Sequence, residues 1–269
     1  MKKTLLTLGI LAILLYACKD EDVINSPDLV STQATQDHLF AEQTFNDVGR
    51  IVEEGFQDNN QSKSCQSYIL MNADTSDADT LVIDFGKGDP DCLHNSKLRR
   101  GKIIITYTGR YRDSLSVMTT SFDNYHVNNN LVQGERIVRN QGENNDGNMW
   151  FTIEVNNASV GTNNGAINWN ANQTREWVSG NATLETPDDQ YKITGSANGN
   201  GVNNNSFSVE ITETLNVDLG CLPNCVIKSG TAKISPEGYA DRIINYGDSL
   251  CDCNFSVNIN GDSYLIVVN

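Results

Sequence analysis

Prolines and basic side chains are both scarce in this sequence. Five prolines in 269 residues, without any low-complexity tract, argue against a disordered chain. Nineteen lysines and arginines stand against 34 aspartates and glutamates, which gives a formal net charge of −15. Such an acidic surface disfavours nucleic acids and anionic lipid head groups as partners, because contacts to phosphate need clustered cations. The local basic run Lys97-Leu98-Arg99-Arg100, with Lys102, is better interpreted as a solvated turn than as a partner-binding patch.

Histidine is also rare, and the three histidines lack the spacing of metal ligands. We expect each of them on a helix face, in a turn or in a strand; they are His38, His94 and His126. Asp74, Asp77 and Asp79 could bind calcium, but the twelve-residue loop with a central glycine and a final glutamate is missing. A solvated acidic loop is therefore favoured, and the sequence predicts no metal and no cofactor.

The apolar segment at the N-terminus is too short to cross a membrane. Residues 5–15 are apolar apart from Thr7 and Gly9, and they follow the positive pair Lys2-Lys3. The next residues, Leu15-Tyr16-Ala17-Cys18, resemble a lipobox, although Tyr16 is bulkier than usual at its position. We predict that residues 1–17 are a signal peptide that is removed and that Cys18 receives the lipid. The alternative is an ordinary secretory signal with a chance cysteine.

The residues after Cys18 are charged and predict where the lipid anchor lies. Lys19-Asp20-Glu21-Asp22 is similar to the surface-export signal of Bacteroidota lipoproteins. Residue 19 is lysine rather than the aspartate that marks retention in the inner membrane of other Gram-negative bacteria. We therefore expect an anchor in the outer membrane that faces the cell exterior, with residues 18–27 as a lipidated tether. A merely polar tether is the alternative.

Cysteine usage indicates covalent bracing in an oxidising compartment. If Cys18 carries lipid, six cysteines remain, and up to three disulfides are expected. We predict a Cys65–Cys92 bridge and two bridges that join the Cys221, Cys225 pair to the Cys251, Cys253 pair. A zinc site is the alternative, but the single-residue spacing of the second pair does not match the usual ligand spacing.

The first segment of the mature chain, residues 28–58, is predicted to be an amphipathic helix. Ser26-Pro27 suits a helix start, with serine as the N-cap and proline at the first helical position. Apolar residues follow at spacings mostly of three or four, at Leu39, Phe45, Val48, Val52 and Phe56. This stripe is expected to pack on the sheet; docking of a partner protein is the alternative.

Residues 59–269 are predicted to form a β-rich domain. The whole chain contains 34 asparagines and 21 glycines, which suit short strands joined by tight turns. Apolar residues alternate with polar ones in residues 151–156, 167–172 and 206–212, as expected for strands with one wet face. In residues 255–268 the pair Asn260-Gly261 predicts a type I′ hairpin that sets Ile259 against Asp262 and Val257 against Tyr264.

The fold class predicted is mainly β, an antiparallel meander of about twelve to fourteen strands with one N-terminal amphipathic helix. A curled sheet, a sandwich and an open barrel all fit this pattern. We favour a partly curled sheet whose concave face packs the helix, since that arrangement uses both apolar surfaces.

Three segments together resemble a group of uncharacterised Bacteroidota surface-exported lipoproteins. They are Asp84-Phe85-Gly86 with Cys92, Tyr107-Thr108-Gly109-Arg110-Tyr111-Arg112 running on to Phe122-Asp123-Asn124-Tyr125, and Ser229-Gly230-Thr231 to Tyr246-Gly247-Asp248. The resemblance covers most of the mature chain. It implies a lipid anchor and an exported β-rich domain, and it implies no activity.

Motifs that could carry chemistry have simpler interpretations. Gly247-Asp248-Ser249-Leu250 matches the nucleophile block of GDSL hydrolases, but its Asp-x-x-His partner, Asp91 to His94, lies upstream, and a turn is favoured. Trp150, Trp169 and Trp177 could form a glycan platform, although Trp169 shares the register of Ile167 and is expected in the core. Asp-Ser/Thr-aliphatic triplets make Thr80, Ser114 and Ser249 possible O-glycosylation sites.

The function predicted is that of a non-enzymatic surface lipoprotein, attached to the membrane through Cys18, with a structural or partner-binding role. A module that binds a glycan or another envelope ligand is the alternative, and an envelope hydrolase is less favoured. A filled interior with no concave polar pocket would favour the first of these, and a solvent-facing row of Trp and Tyr side chains would favour the second. A pocket that holds converged carboxylates, or His94 within hydrogen-bond reach of Ser249, would favour the third. The envelope partner would be a protein or a glycan, and no nucleic acid is expected.

Overall fold

A computed structural model describes residues 31–57, 65–71, 78–183, 185–222, 225–252 and 254–266. Within these ranges one helix precedes thirteen strands. The helix is α1 (Gln33–Gln57). The strands are β1 (Ser67–Met71), β2 (Asp79–Asp84), β3 (Arg99–Tyr107), β4 (Val117–Val127), β5 (Asn130–Glu143), β6 (Met149–Thr162), β7 (Gly165–Ser179), β8 (Gln190–Asn200), β9 (Ser206–Asp218), β10 (Ile227–Pro236), β11 (Arg242–Asp248), β12 (Phe255–Ile259) and β13 (Asp262–Ile266).

The strands form one antiparallel sheet in the order of the sequence. Each strand pairs with the next along the chain, and β1 and β13 are the two edges of the sheet. The predicted meander is therefore confirmed, and the arrangement is a single open sheet rather than a sandwich. Neighbouring strands pair because short polar turns join them, as expected for antiparallel hairpins.

The hairpin of β12 and β13 has the predicted turn and the predicted register. Asn260 and Gly261 both have positive φ, at 55° and 97°, as a type I′ turn requires. Val257 pairs with Tyr264, and Ile259 pairs with Asp262. The apolar residues of β12 are buried on one face. The turn chemistry and the alternation thus select the same register.

Bulges with glycine interrupt the interior of the sheet and promote its curvature. Gly101 of β3 has φ +79°, and a Cβ there would lie 2.1 Å from the carbonyl oxygen of Asn124. A side chain at this position would therefore collide with the next strand. Similar register shifts occur at four further glycines with positive φ, which are Gly134, Gly142, Gly195 and Gly230.

Helix α1 lies against the concave face of the curled sheet, in one shared core. A helix is only about 10–12 Å wide with its side chains, so it contacts well-separated strands only if the sheet wraps around it. Its partners are Ile83 of β2, Tyr107 of β3, Phe122 of β4, Trp169 of β7, Phe207 of β9 and Tyr246 of β11.

The observed helix lies within the predicted range of residues 28–58. Ser31 and Thr32 precede it, and the proposed start at Ser26-Pro27 lies outside the described residues. The apolar stripe predicted for the helix packs on the sheet: Leu39, Phe45, Val48 and Val52 are buried, and Phe56 is half-buried against Tyr107. No helix among the described residues has both the length and the apolar character needed to cross a membrane.

Candidate ligand-binding site

A cavity of about 480 Å³ lies between α1 and the half of the sheet formed by β8 to β12. On the other side of the helix packing is tight: a Cβ on Gly55 would lie only 2.8 Å from Ile83 Cδ1 of β2, and the rings of Phe45 and Phe122 are 6.0 Å apart. Helix α1 is thus offset towards β2 to β7. The volume left on the other side is within the range of roughly 300–1,000 Å³ typical of small-molecule sites.

The sheet side of the cavity is largely apolar. Alternate residues of β8 and β9 point into it because side chains two apart in a strand share a face. The segment after β9 adds Leu222, which is 44% exposed and lies where the cavity reaches the surface. The apolar lining residues are Ile193, Leu215, Val217, Leu219, Leu222, Val226, Ile227 and Phe255.

The helix side of the cavity is polar. Glu42, Asn46, Gly49 and Glu53 all line it, and their spacing of four, three and four residues puts them in one stripe along α1. This stripe runs beside the apolar stripe that packs on the sheet. The cavity is therefore an apolar trough covered by a polar helix face.

Two arginines of the sheet approach Glu53. Arg175 Nη1 lies 3.8 Å from Glu53 Oε1, and it donates a hydrogen bond of 3.4 Å to the Tyr111 hydroxyl. Arg175 Nε is buried without a hydrogen-bond partner among the described residues. Burial raises the pKa of the Glu53 carboxyl, and the cations of Arg175 and Arg136 only partly oppose this effect.

Arg136 of β5 is 4% exposed and lies against the helix at Gly49. A Cβ on Gly49 would be 3.0 Å from Arg136 Nη2, so the glycine leaves room for the guanidinium. Among the described residues no side chain or carbonyl forms a hydrogen bond with the Arg136 side chain. Burial and the neighbouring Arg175 cation lower the pKa of Arg136 to about 10, which leaves it charged at neutral pH.

A network of hydrogen bonds around Glu42 lies at one end of the cavity. The Tyr246 hydroxyl donates to Glu42 Oε2 at 3.4 Å, and Gln173 Nε2 donates to Glu42 Oε1 at 3.2 Å. Trp169 Nε1 donates to His38 Nδ1 at 3.3 Å. Burial lowers the pKa of His38, against the opposing effect of Glu42. These contacts tie the helix to β7 and β11.

A second charged cluster surrounds Asp47 of α1 and contributes Asp47, Arg50 and Lys97 to the lining of the same cavity. Asp47 Oδ2 is 2.8 Å from Arg99 Nη1, and Asp47 Oδ1 is 2.6 Å from Arg50 Nη2. Burial alone would raise the pKa of Asp47, but Arg99, Lys97 and Arg50 outweigh it and lower the pKa. The Arg99 guanidinium also donates to the Tyr125 hydroxyl at 2.7 Å. Asp47 thus has close cationic partners, whereas the nearest oxygen of Glu53 is 3.8 Å from Arg175.

The cysteines follow the predicted bracing as far as they are described. Cys65 is bonded to Cys92, and Cys221 is bonded to Cys251. Cys225 is also disulfide-bonded, whereas Cys253 and the predicted lipidation site Cys18 lie outside the described residues. The Cys221–Cys251 bond excludes the zinc alternative for these two sulfurs, since a metal would need them as thiolates.

The residues of the hydrolase alternative are not brought together. His94 Nε2 pairs with Glu54 Oε2 at 3.0 Å, and Ser249 is not among the described contacts of His94. Ser249 is exposed in a turn after β11, where its backbone N–H donates to the Lys228 carbonyl. The predicted turn is correct only for Ser249 and Leu250, since Gly247 and Asp248 still belong to β11. The Asp91 side chain is likewise exposed.

The tryptophans do not form a solvent-facing row. Trp169 and Trp177 are each 2% exposed, so the core position predicted for Trp169 is confirmed and the three-tryptophan platform is wrong. Trp150 is half-buried in β6. Of the possible glycosylation residues, Ser114 and Ser249 are exposed, and Thr80 is half-buried in β2.

The remaining metal candidates are also dispersed. His38 lies on α1, His94 in a turn and His126 in β4, as predicted. Asp79 belongs to β2, while Asp74 and Asp77 lie outside the described residues. In the described part of the chain no group of three or more His, Cys, Asp or Glu side chains could hold a metal ion.

Arg175 was missed as a cavity residue although the sequence contains a signal for it. In β7 the inward positions run from Ile167 and Trp169 through Ala171 to Trp177, so Arg175 interrupts an apolar face. Such a cation on a core face needs a partner or a ligand.

Comparison of the chain with family models, with curated proteins and with solved structures finds no match to any of them.

Proposed function

We propose that this protein is a lipid-anchored, non-enzymatic binding module that holds a small, largely apolar ligand between α1 and strands β8 to β12. The observation that carries the proposal is the cavity of about 480 Å³ in the concave face of the sheet. Protein interiors are packed as densely as organic crystals and contain few voids larger than a water molecule. A space of this size is therefore better explained as a binding site than as part of a core.

The nature of the walls supports a ligand with a long apolar part. Leu215 and Val217 of β9 and Ile227 of β10 face the cavity, and the helix side contributes one large apolar side chain to its lining, Leu39. An apolar ligand chain would remove this surface from water and restore the missing dispersion contacts. A sugar would find hydrogen-bonding groups mainly on the helix side, because the sheet side of the cavity is largely apolar. The apolar ligand is therefore preferred to a glycan.

The position of the lipid anchor fits this role. Acylation of Cys18 would hold the helix and sheet at the surface of the outer membrane, where amphipathic molecules are concentrated. Mass spectrometry of protein from the membrane fraction is expected to find an acylated N-terminal Cys18, and a Cys18→Ser variant is expected to keep residues 1–17. Unmodified Cys18 preceded by residues 1–17 in the wild-type protein would contradict the anchor.

Photolabelling of the full-length protein in its membranes tests the cavity. The probes are medium-chain alkyl diazirines that end in a carboxylate, a phosphate or a hydroxyl group. At least one probe is expected to modify peptides of β8 to β10, and Leu215→Trp, which fills the cavity, is expected to abolish this labelling.

A matched control separates the cavity from the protein surface. Leu265 of β13 is 69% exposed, so Leu265→Trp makes the same chemical change outside the cavity and should leave the labelling of β8 to β10 unchanged. The proposal fails if no probe modifies these peptides. It also fails if the peptides of β8 to β10 are labelled equally in the Leu215→Trp and Leu265→Trp variants.

A further inference from the structure

We infer that the ligand carries an anionic group, a carboxylate or a phosphate, which binds Arg175 at the Glu53 end of the cavity. This inference rests on the proposed function and specifies the class of ligand. Arg175 lines the cavity, whereas Arg136 contacts α1 at Gly49 and is not among the lining residues.

Three arginines and three carboxyls lie at this end of the cavity: Arg112, Arg136 and Arg175, with Glu53, Asp188 and Asp189. Their numbers balance, but none of these carboxyls accepts a hydrogen bond from the buried Arg175 guanidinium. A cation removed from water is costly unless an opposite charge and hydrogen bonds compensate it, and a ligand anion would supply both.

The carboxylates present are poor partners for Arg175 and for the neighbouring Arg136. Glu53 reaches Arg175 only at 3.8 Å, which is beyond hydrogen-bond distance. Asp189 instead accepts hydrogen bonds from Trp177 Nε1 at 3.1 Å and from the Tyr191 hydroxyl at 3.3 Å. The guanidinium donors of Arg136 and Arg175 are thus left largely unused.

The surroundings hold the guanidinium of Arg175 in place. Its Cζ lies 5.1 Å from the centroid of the Tyr191 ring, and Nη1 contacts the Tyr111 hydroxyl. Tyr111 in turn stacks on Phe151 at 4.3 Å. A planar guanidinium fixed in this way binds the oxygens of a carboxylate or phosphate with two parallel hydrogen bonds, and it offers nothing comparable to a neutral hydroxyl group.

The two ends of the cavity define how such a ligand lies. The anionic group is placed at Arg175, and the apolar chain follows Ile193, Leu215 and Ile227. The ligand is thus an amphipathic anion such as a free fatty acid or an alkyl phosphate.

The three probes described above test the head group in the full-length protein in membranes. Cavity labelling is taken as the labelling of β8 to β10 that Leu215→Trp removes. In the wild-type protein the carboxylate probe, the phosphate probe or both are expected to exceed the alcohol probe at least about tenfold, as one charge-assisted hydrogen bond would produce. The stronger of the two anionic probes identifies the head group.

Substitutions connect this preference to the arginine. Arg175→Gln is expected to reduce the ratio of anionic to alcohol labelling to near one, and Arg175→Lys to retain part of it. Arg139→Gln is the matched control: Arg139 pairs with Glu154 on the opposite face of β5 and should leave the ratio unchanged. A folding defect lowers labelling by all three probes, so the ratio remains informative.

Two failures are distinguishable. If the alcohol probe labels the cavity as strongly as both anionic probes in the wild-type protein, or if Arg175→Gln leaves the ratio unchanged, the anionic head group is wrong while the cavity remains a binding site. If no probe gives labelling that Leu215→Trp removes, the proposed function itself is wrong.

Discussion

Removal of the Asp47 charge should strongly destabilise the protein. Asp47 is 7% exposed, and it lies between Arg99, whose side chain is 1% exposed, and Arg50. Asp47→Asn keeps the size of the side chain and removes the charge that neutralises Arg99. The Arg99 guanidinium cannot lose its proton, so it remains as a buried cation with Tyr125 as its remaining strong partner.

The expected magnitude follows from this burial. Breaking a buried ion pair by removing one partner costs about 3–5 kcal/mol, because an uncompensated charge stays behind. Glu154→Gln is the matched control, since Glu154 and Arg139 pair with both side chains 36% exposed. An exposed pair contributes only about 0–1 kcal/mol. The two substitutions make the same chemical change and differ mainly in burial.

Urea unfolding of the full chain, followed by tryptophan fluorescence, measures both variants. Because the pKa of Asp47 is lowered in the folded state, its contribution is complete above the unfolded pKa of about 3.9 and declines as the pH falls towards the folded value. The difference between wild type and Asp47→Asn should therefore be constant from pH 7 to 5 and decrease in stronger acid. A cost no greater than that of Glu154→Gln would refute the reasoning.

Three further predictions concern the frame of the fold. Gly101→Ala should cost at least about 2 kcal/mol in urea unfolding, because its Cβ would meet a carbonyl oxygen, whereas Gly147→Ala, at a similar φ of +78° in open space, should cost only about 1 kcal/mol. Replacement of Cys65 and Cys92 by alanine should lower the free energy of unfolding by about 3–4 kcal/mol, as calculated for a separation of 27 residues. Burial lowers the folded pKa of His38, so the unfolded state takes up a proton at this residue first, and the stability of the protein falls below pH 6.5. In the His38→Gln variant the urea concentration at the unfolding midpoint should therefore change less between pH 7 and 5.

Local signals predicted the elements of this fold well. In β6 and β7 the alternation of apolar and polar residues agrees with the observed burial, and the Asn260-Gly261 turn gives the register of the last hairpin. These features depend on residues close together in the chain. The Cys65–Cys92 bridge was also predictable, because the other four cysteines form two close pairs.

The candidate site was not predictable because it depends on the curvature of the whole sheet. Arg136 and Arg175 come from strands β5 and β7, and they meet Glu53 only because the sheet wraps around α1. That curvature arises from bulges such as the one at Gly101, whose effects add across thirteen strands. A period of two indicates which face a residue occupies, but not which residues of distant strands converge on one point of the helix.

The position of the cavity is nevertheless encoded in α1. Along one stripe Phe45, Val48 and Val52 fill the space towards β2 to β7. Along the neighbouring stripe Asn46 and Gly49 are too short or too polar to fill the space towards β8 to β12. Leucine side chains on this second stripe would fill the trough, since the opposing wall is already apolar. The difference between the two stripes of α1, rather than the sheet, therefore determines that helix side chains fill the concave face towards β2 to β7 and leave a cavity towards β8 to β12.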